Sequence, residues 1–258
     1  MEHWETLKPD GYRFVWDDDL FRPGTDTFLL SSMPRLKRGL RVCDLGSGTG
    51  LLGLLLLQRE SSLTVTGLEQ LPAAVELAER CADANGLSGR LVSYCMDLRD
   101  APRRFATGSF DLIVSNPPYY DGVPPSRDAR RLARHESACS LPEIMKAAAY
   151  LLRWGGAFCL SHKPERLTDA LCALRDARCE PKRLRFVQET VGAAPSLILL
   201  EGRRGGNPGL TVEKPLILRG PDGAPTPELD AIYFRDSPLS LRGGDTETKP
   251  YQIPFPRP

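Results

Sequence analysis

The sequence predicts an α/β fold with a doubly wound sheet that is mostly parallel and ends in an antiparallel hairpin. Short apolar runs alternate with helix-like segments along most of the chain, as repeated strand–helix–strand units require. A glycine-rich stretch, DLGSGTG, connects the first of these strands to a helix. The last two strands are joined by a turn around Gly-Ala-Ala-Pro with no room for a helix, so we expect them to pair antiparallel at one edge.

The first half of the predicted sheet contains four strands. Strand 41–45 leads through the glycines into a helix, and strand 63–68 follows. The next helix, 72–85, begins with proline and ends at Asn-Gly, which are typical start and stop signals. Strand 90–96 comes next, and 110–115 is a nearly continuous apolar run, as a parallel strand buried on both faces should be.

The second half of the predicted sheet follows a long polar loop. Residues 141–154 have the pattern of a helix, with Gly-Gly as its exit, and 157–161 that of a strand. A helix over 164–177 then leads to the two hairpin strands, 183–188 and 197–201.

Composition limits the classes of protein that fit. The chain has 258 residues, 41% of them hydrophobic, and a net charge of +1, which predicts one compact domain without an overall polyanion-binding character. Seven cysteines form no C-x-x-C pair, as expected for reduced thiols in the cytosol. The N-terminus lacks the pattern of a signal peptide, and no apolar run is long enough to span a bilayer. We therefore expect a soluble cytoplasmic protein that needs no metal.

The glycine loop fits two cofactors. Gly48 to Gly53 matches G-x-G-x-x-G, and Glu69 follows at the distance of a ribose-binding acid, so NAD and S-adenosylmethionine both remain candidates, beside a purely structural turn. Asp44 favours S-adenosylmethionine, because its charge would repel a pyrophosphate and attract an ammonium or sulfonium. Asp97 ends the third strand near the same crevice and is a candidate for binding adenine or ribose, with a solvated loop acid as the alternative.

The sequence SNPPYY ends the fourth strand in a rigid turn. Pro117 and Pro118 have restricted φ angles and lack N–H groups, which leaves the Asn116 amide oxygen and the Pro117 carbonyl to accept both hydrogens of an –NH2 group. Accepting both hydrogens directs the nitrogen lone pair towards an electrophilic methyl. Tyr119 offers a face on which a planar group can stack. The alternative is a plain loop of turn-forming residues.

Taken together and in this order, DLGSGTG, Glu69, Asp97 and SNPPY resemble the class I S-adenosylmethionine-dependent amino-methyltransferases, over about residues 20–202. The resemblance implies a Rossmann-like fold and a catalytic turn of Asn116, Pro117, Pro118 and Tyr119. It also implies that these residues bind the cofactor: Asp26, Asp44, Gly46, Ser47, Gly48, Thr49, Gly50, Glu69, Gln70, Asp97, Leu98 and Asn116.

The resemblance suggests three parts along the chain. Residues 1–38 form an N-terminal segment that covers the cofactor or contacts substrate, and 39–204 form the methyltransferase domain. Residues 205–258 are a Pro/Gly-rich C-terminal extension, in which 227–234 has the pattern of a short helix.

Other stretches bear on which amine is methylated. RPGTDTFLLSSM, SRDARRLARHE, GLTVEKPLIL and TPELDAIY are together similar to the bacterial tRNA(Val) adenine-N6 methyltransferase group, which modifies the adenosine beside the anticodon. Candidate RNA contacts are Tyr120, Arg127, Arg130, Arg131, Arg134, Arg203 and Arg204. A solvated charged face is the alternative for these arginines.

The chemistry leaves competing functions open. A release-factor glutamine N5-methyltransferase or a ribosomal RNA base methyltransferase would share every cofactor residue. A non-enzymatic scaffold would not need Asn116 and Tyr119, and a nicotinamide dehydrogenase would give SNPPY no role. The oligomeric state is left open by the sequence.

Overall fold

The computed structural model describes residues 1–20, 22–117 and 139–235. Several predicted site residues lie outside the described part of the chain: Pro118, Tyr119, Tyr120, Arg127, Arg130, Arg131 and Arg134. The end of the C-terminal extension, from residue 236 onwards, also lies outside it.

The chain begins with a small hairpin that the sequence patterns did not predict. Strands β1 (Glu2–Thr6) and β2 (Arg13–Asp17) pair antiparallel and form a sheet of their own. Asn85 fastens this hairpin to the main domain, because its Oδ1 accepts a hydrogen bond of 2.7 Å from the Arg13 amide. Helix α1 (Thr25–Ser31) follows and buries Phe28, Leu29 and Leu30 in the core.

The next elements confirm the predicted alternation of strands and helices. They are β3 (Arg41–Leu45), α2 (Leu51–Arg59), β4 (Thr64–Glu69), α3 (Pro72–Ala84) and β5 (Leu91–Cys95). All three strands run parallel, with β3 paired to β4 and β4 paired to β5. Each element lies within two residues of its predicted bounds.

The remaining elements complete the sheet. In chain order they are a 3-10 helix (Leu98–Arg103), β6 (Phe110–Ser115), α4 (Leu141–Leu151), β7 (Leu152–His162), a second 3-10 helix (Pro164–Arg166), α5 (Leu167–Asp176), β8 (Cys179–Gln188), β9 (Pro195–Arg204), β10 (Thr211–Val212), β11 (Leu216–Ile217) and α6 (Pro227–Ile232). Helix α6 confirms the short helix predicted in the C-terminal extension.

The main sheet has nine described strands in the order β10-β8-β9-β7-β6-β3-β4-β5, with β11 also paired to β8. The chain runs outward from β3 to β5 and then returns to β6 on the other side of β3, so the strand order reverses between β3 and β6. Ligands of open α/β sheets bind at such a switch point, outside the carboxyl ends of the strands. The topology thus brings the glycine loop after β3 beside the Asn-Pro turn after β6.

Alternate residues of the central strands belong to two hydrophobic cores, one on each face of the sheet. Val42, Leu112 and Val114 pack with α1 and α2 on one face, whereas Cys43 and Ile113 pack with α4 and α5 on the other. This two-residue period explains why β6 is a continuous apolar run, because both of its faces are covered by helices.

Two predictions about the second half of the sheet were wrong in detail. The helix predicted over 141–154 ends at Leu151, because Leu152 already pairs with Phe110 and opens β7, leaving Trp154 in the strand with 70% of its surface exposed. The predicted antiparallel hairpin of β8 and β9 exists, but it is not the edge of the sheet, since β10 and β11 both pair with β8. None of the helices in the described ranges has the length and hydropathy needed to cross a membrane.

Candidate active site

A pocket opens at the carboxyl ends of β3, β4 and β6, at the switch point of the sheet. Many of the predicted site residues line it: Asp44, Gly46, Ser47, Gly48, Thr49, Glu69, Gln70, Leu98, Asn116 and Pro117. The N-terminal segment closes another side through Leu20, Arg22, Pro23 and Thr27. Three predicted cofactor residues, Asp26, Gly50 and Asp97, are not among the lining residues.

The glycine loop has a backbone that other residues rarely adopt. Gly46, Gly48 and Gly50 have φ angles of 74°, 53° and 80°, in the left-handed region. Among the described residues, and apart from each glycine and its chain neighbours, no heavy atom lies within 4 Å of the point where a Cβ of Gly46 or Gly48 would stand, so both leave space for a ligand. Gly50 instead precedes α2 as its N-cap, and its Cβ would lie 3.3 Å from the Cβ of Ala78. Its glycine is therefore explained by turn geometry and helix packing.

Glu69 holds the glycine loop in place. Its Oε2 accepts a hydrogen bond of 2.9 Å from the Gly48 amide, and its Oε1 accepts one of 2.9 Å from the Leu71 amide. The Gly46 amide also donates to the Leu68 carbonyl at 2.9 Å. Glu69 thus joins the ends of β3 and β4 while its carboxylate faces the pocket.

Asp44 carries a buried polar atom that has no partner among the described residues. Its side chain is buried, at 2% exposure, and Oδ2 has no hydrogen-bond partner among the described residues. Burial raises the pKa of Asp44 to about 8, and the nearby Glu69 carboxylate adds to the increase. Ser47 Oγ, on the same loop, is also buried without a partner in the described part of the chain. A ligand that carries a positive charge and a hydrogen-bond donor would compensate this carboxylate.

Asp97 is engaged elsewhere. Its carboxylate forms an ion pair of 2.5 Å with Arg99 and accepts a hydrogen bond of 2.8 Å from the Arg99 amide. Hydrogen bonding to Arg99 lowers the pKa of Asp97 despite partial burial. Its neighbours Met96 and Leu98 line the pocket, whereas the Asp97 side chain does not.

The side chain of Asn116 is held from two directions. Its Nδ2 donates to Thr27 Oγ1 at 3.0 Å, and its Oδ1 accepts from Ser161 Oγ at 2.5 Å. Pro117 is buried and also lines the pocket, so the first half of the Asn-Pro turn faces the same space as the glycine loop.

Two residues that contact Asn116, Thr27 and Ser161, were not predicted from the sequence. Thr27 lies in the stretch RPGTDTFLLSSM, where Asp26 was the predicted residue, but Thr27 is the one that lines the pocket. No local signal distinguishes Ser161, since it reaches Asn116 only through the pairing of β7 with β6.

Arg203 and Arg204 lie away from the pocket. Because β9 runs antiparallel to β7, its last residues lie towards the amino ends of the parallel strands, the opposite edge of the sheet. Arg203 donates to the Gly155 carbonyl at 3.3 Å, and Arg204 donates to the carbonyls of Tyr150 and Leu152. Both guanidinium groups thus have local structural partners.

Metal binding has no candidate in the described ranges. Among these residues, no group of three or more His, Cys, Asp or Glu side chains is arranged to hold a metal ion.

Solved structures similar to this chain are consistent with the observed topology. The crystal structure of a predicted O-methyltransferase from Agrobacterium tumefaciens has a TM-score of 0.69 at 21% identity and covers 82% of this chain and 96% of its own. The cyclase SpnF, with a TM-score of 0.53 at 18% identity, covers 74% of this chain and 80% of its own. At these identities the similarity shows the fold alone.

Comparison of sequences is more specific. The family model of the methyltransferase small domain matches residues 15–165. A protein of Cronobacter sakazakii, named tRNA1(Val) (adenine(37)-N6)-methyltransferase, is 32% identical over 88% of this chain and 94% of its own. Proteins of the same name from Tolumonas auensis and Porphyromonas gingivalis are 33% and 34% identical over 83% and 70% of this chain, and over 90% and 74% of their own. This chain therefore belongs to the methyltransferase small domain family, alongside these curated relatives, and is an S-adenosylmethionine-dependent methyltransferase.

Proposed function

We propose that this enzyme transfers a methyl group from S-adenosylmethionine to the exocyclic N6 amine of an adenosine in tRNA(Val), beside the anticodon. The observation that carries the proposal is the position of the Asn116–Pro117 turn, which faces the same pocket as the glycine loop and Asp44. A methyl donor and an acceptor amine have to meet in one crevice, and this crevice is lined by groups suited to each.

The residues at the ends of β3, β4 and β5, here called the β3 side of the pocket, fit the methyl donor. The donor supplies an activated methyl on a sulfonium. The partnerless Oδ2 of Asp44 suits the ammonium of its methionine part, and the space beside Gly46 and Gly48 admits a ligand close to the backbone. Glu69 retains acceptor capacity for ribose hydroxyls, because each carboxylate oxygen can accept more than one hydrogen bond. Asp97 remains the proposed adenine contact, acting while paired with Arg99.

The residues that follow β6, from Asn116 to Tyr119, are here called the β6 side of the pocket. They fit an amine of the adenine type. Asn116 Oδ1 and the Pro117 carbonyl accept the two hydrogens of the amine, which directs its lone pair towards the methyl. Transfer forms the N–C bond as the S–C bond breaks. The methylated nitrogen then gives its extra proton to water, because an amide side chain such as Asn116 is not a base. Tyr119 is the proposed stacking surface for the base.

The choice of tRNA rests on the relatives. Three relatives that match 70% or more of this chain carry the same name, which specifies tRNA1(Val) and adenine 37. An adenosine in an anticodon loop can be turned out of its stack more cheaply than a base in a duplex. Arg127, Arg130, Arg131 and Arg134 directly follow the turn in the sequence and are the proposed phosphate contacts.

We further propose that the enzyme acts in the cytoplasm. All seven cysteines are free, which suits a reducing compartment.

The test is methyl transfer from methyl-labelled S-adenosylmethionine to bacterial tRNA that lacks its native modifications, followed by nucleoside analysis. The expected product is N6-methyladenosine in valine tRNA. Asn116→Ala serves as the negative control, and ribosomal RNA and release factors serve as competing substrates.

Three results would contradict the proposal. Labelling of release-factor glutamine would show that the substrate is a protein. Labelling of ribosomal RNA alone would show that the substrate is an RNA base but not in tRNA. Absence of transfer to tRNA, with cofactor binding measured in the same preparation, would remove the tRNA assignment.

A further inference from the structure

The Asn116 amide is clamped between two hydroxyl groups that come from distant parts of the chain. Thr27 lies 89 residues before it, and Ser161 lies 45 residues after it. One hydroxyl binds the amide nitrogen and the other binds the amide oxygen. Such a pair of contacts restricts rotation of the amide about its last side-chain bond.

Thr27 and Ser161 each lie on a well-packed element. Ser161 is fully buried near the end of β7, where the pairing of Ser115 with Leu160 sets β6 and β7 side by side. Thr27 is in the first turn of α1, which packs against α2 and β7 and buries four consecutive residues, Phe28, Leu29, Leu30 and Ser31. The two hydroxyls are therefore held by the core rather than by the Asn-Pro turn itself.

We infer that Thr27 and Ser161 are positioning residues that set the plane of the Asn116 amide for the acceptor amine. This inference rests on the proposed function, in which Asn116 Oδ1 accepts a hydrogen from that amine. An amide oxygen can accept two hydrogen bonds, so the contact with Ser161 is compatible with this role. An acceptor that is already oriented needs no reorganisation as charge develops during transfer.

Thr27 has a second consequence, because it belongs to the N-terminal segment that closes the pocket. Leu20, Arg22 and Pro23 of that segment line the same space. The hydrogen bond from Asn116 to Thr27 therefore links closure of the pocket to the orientation of the amide. The N-terminal segment would thus affect turnover as well as ligand access.

The kinetic test compares Thr27→Val and Ser161→Ala with conservative and distant variants. Each should reduce kcat roughly tenfold or more, as expected when a reacting group is misplaced, while KM for tRNA and Kd for S-adenosylmethionine stay near wild type. Thr27→Ser keeps the hydroxyl and should retain most of kcat. Ser93→Ala, which changes a buried serine of β5, is a matched control and should leave kcat unchanged.

A double-mutant cycle separates positioning from general damage. Adding Thr27→Val to Asn116→Ala should cost no further activity, because the amide that Thr27 orients is absent. A further full loss in the double variant would overturn the inference, as would equal losses in Thr27→Val and Thr27→Ser.

A spectroscopic readout makes the test independent of the reaction. The Asn116 side-chain amide pair, identified in ¹H–¹⁵N spectra by its loss in Asn116→Ala, should shift and exchange faster with solvent in Thr27→Val and shift in Ser161→Ala. An unchanged amide pair in both variants would overturn the inference whatever the substrate is. A wild-type enzyme that transfers no methyl to tRNA would instead overturn the proposed function, and the spectra would still decide the positioning.

Discussion

The two sides of the pocket differ in how their polar groups are satisfied. On the β3 side, Asp44 is buried with an oxygen that accepts no hydrogen bond from the described residues. On the β6 side, the amide of Asn116 is bonded through both its nitrogen and its oxygen. A buried carboxylate without a partner is costly, whereas a bonded amide is not. We infer that a cationic ligand supplies the missing partner of Asp44 on the β3 side. On the β6 side, the Asn116 amide is already oriented before a substrate binds.

The largest expected effect is on the β6 side. Asn116→Ala should lower kcat for methyl transfer by about 100–1,000-fold, the range for loss of one oriented hydrogen-bonding group. Cofactor affinity should change little, because Asp44, Gly48 and Glu69, which are proposed to hold the donor, remain intact in this variant. Titration calorimetry and steady-state kinetics on the same preparation measure both quantities, with Asn207→Ala as an exposed control. A proportional loss of affinity and turnover would erase the distinction between the two sides.

The next effect is on the β3 side and reverses this pattern. Asp44→Asn keeps the shape of the side chain but removes its charge, and should weaken cofactor binding by about 10–100-fold at pH 8. The wild-type carboxyl has a pKa of about 8 without ligand, so below that pH it must release a proton to bind a cation. Wild-type affinity should therefore rise as pH increases towards 8, relative to Asp44→Asn.

Dissociation constants of both proteins, measured between about pH 6 and about pH 9, test this coupling. The variant reports the titration of the ligand itself, so the ratio of the two constants isolates Asp44. A ratio that does not vary with pH would show that Asp44 does not bind the cationic part of the donor.

Asp44 should stabilise cofactor binding as pH rises, but it should destabilise the cofactor-free folded protein over the same pH range. A carboxyl whose pKa is raised on folding supports the folded state while protonated, and that contribution is lost as pH rises from its ordinary pKa of about 4 through about 8. At pH 8, Asp44→Asn without cofactor should therefore unfold at a higher temperature than wild type, by roughly 5 °C. Thermal unfolding at a series of pH values checks this, and parallel curves for the two proteins would contradict the raised pKa.

A smaller effect distinguishes Gly50 of the glycine loop from Gly39, which lies outside it. Gly50→Ala combines a left-handed φ with a close contact to Ala78, and should lower the free energy of unfolding by roughly 2 kcal/mol. Gly39→Ala has a similar φ of 72° in open space and should cost about 1 kcal/mol. Urea denaturation measures both. Equal losses would mean that packing against Ala78 adds nothing.

Local patterns were sufficient to predict one part of this molecule. The glycine loop and the Asn-Pro turn each follow an apolar strand, and parallel strands of a doubly wound sheet bring such turns to one edge. The position of each turn depends on residue types within a few positions and on the connection of the strands, so it could be predicted without knowing how distant segments meet.

Other features depended on long-range contacts and could not be predicted in this way. Thr27 and Ser161 reach Asn116 only in the folded chain, across 89 and 45 residues of sequence. Trp154 fits the helical sequence pattern, but it lies in β7 because β7 pairs with β6 from Leu152 onwards. Arg203 and Arg204 were grouped with the site by composition, although the antiparallel course of β9 takes them to the other edge.

In the proposed mechanism, donor and acceptor meet between the ends of β3 and β6. A crystal structure of the enzyme with S-adenosylhomocysteine and adenosine is the decisive test of this arrangement. We expect the ligand ammonium to lie within about 3 Å of Asp44 Oδ2 and the adenine amine to face Asn116 Oδ1 and the Pro117 carbonyl. A ligand bound away from Asp44, or an adenine amine turned away from Asn116, would contradict it.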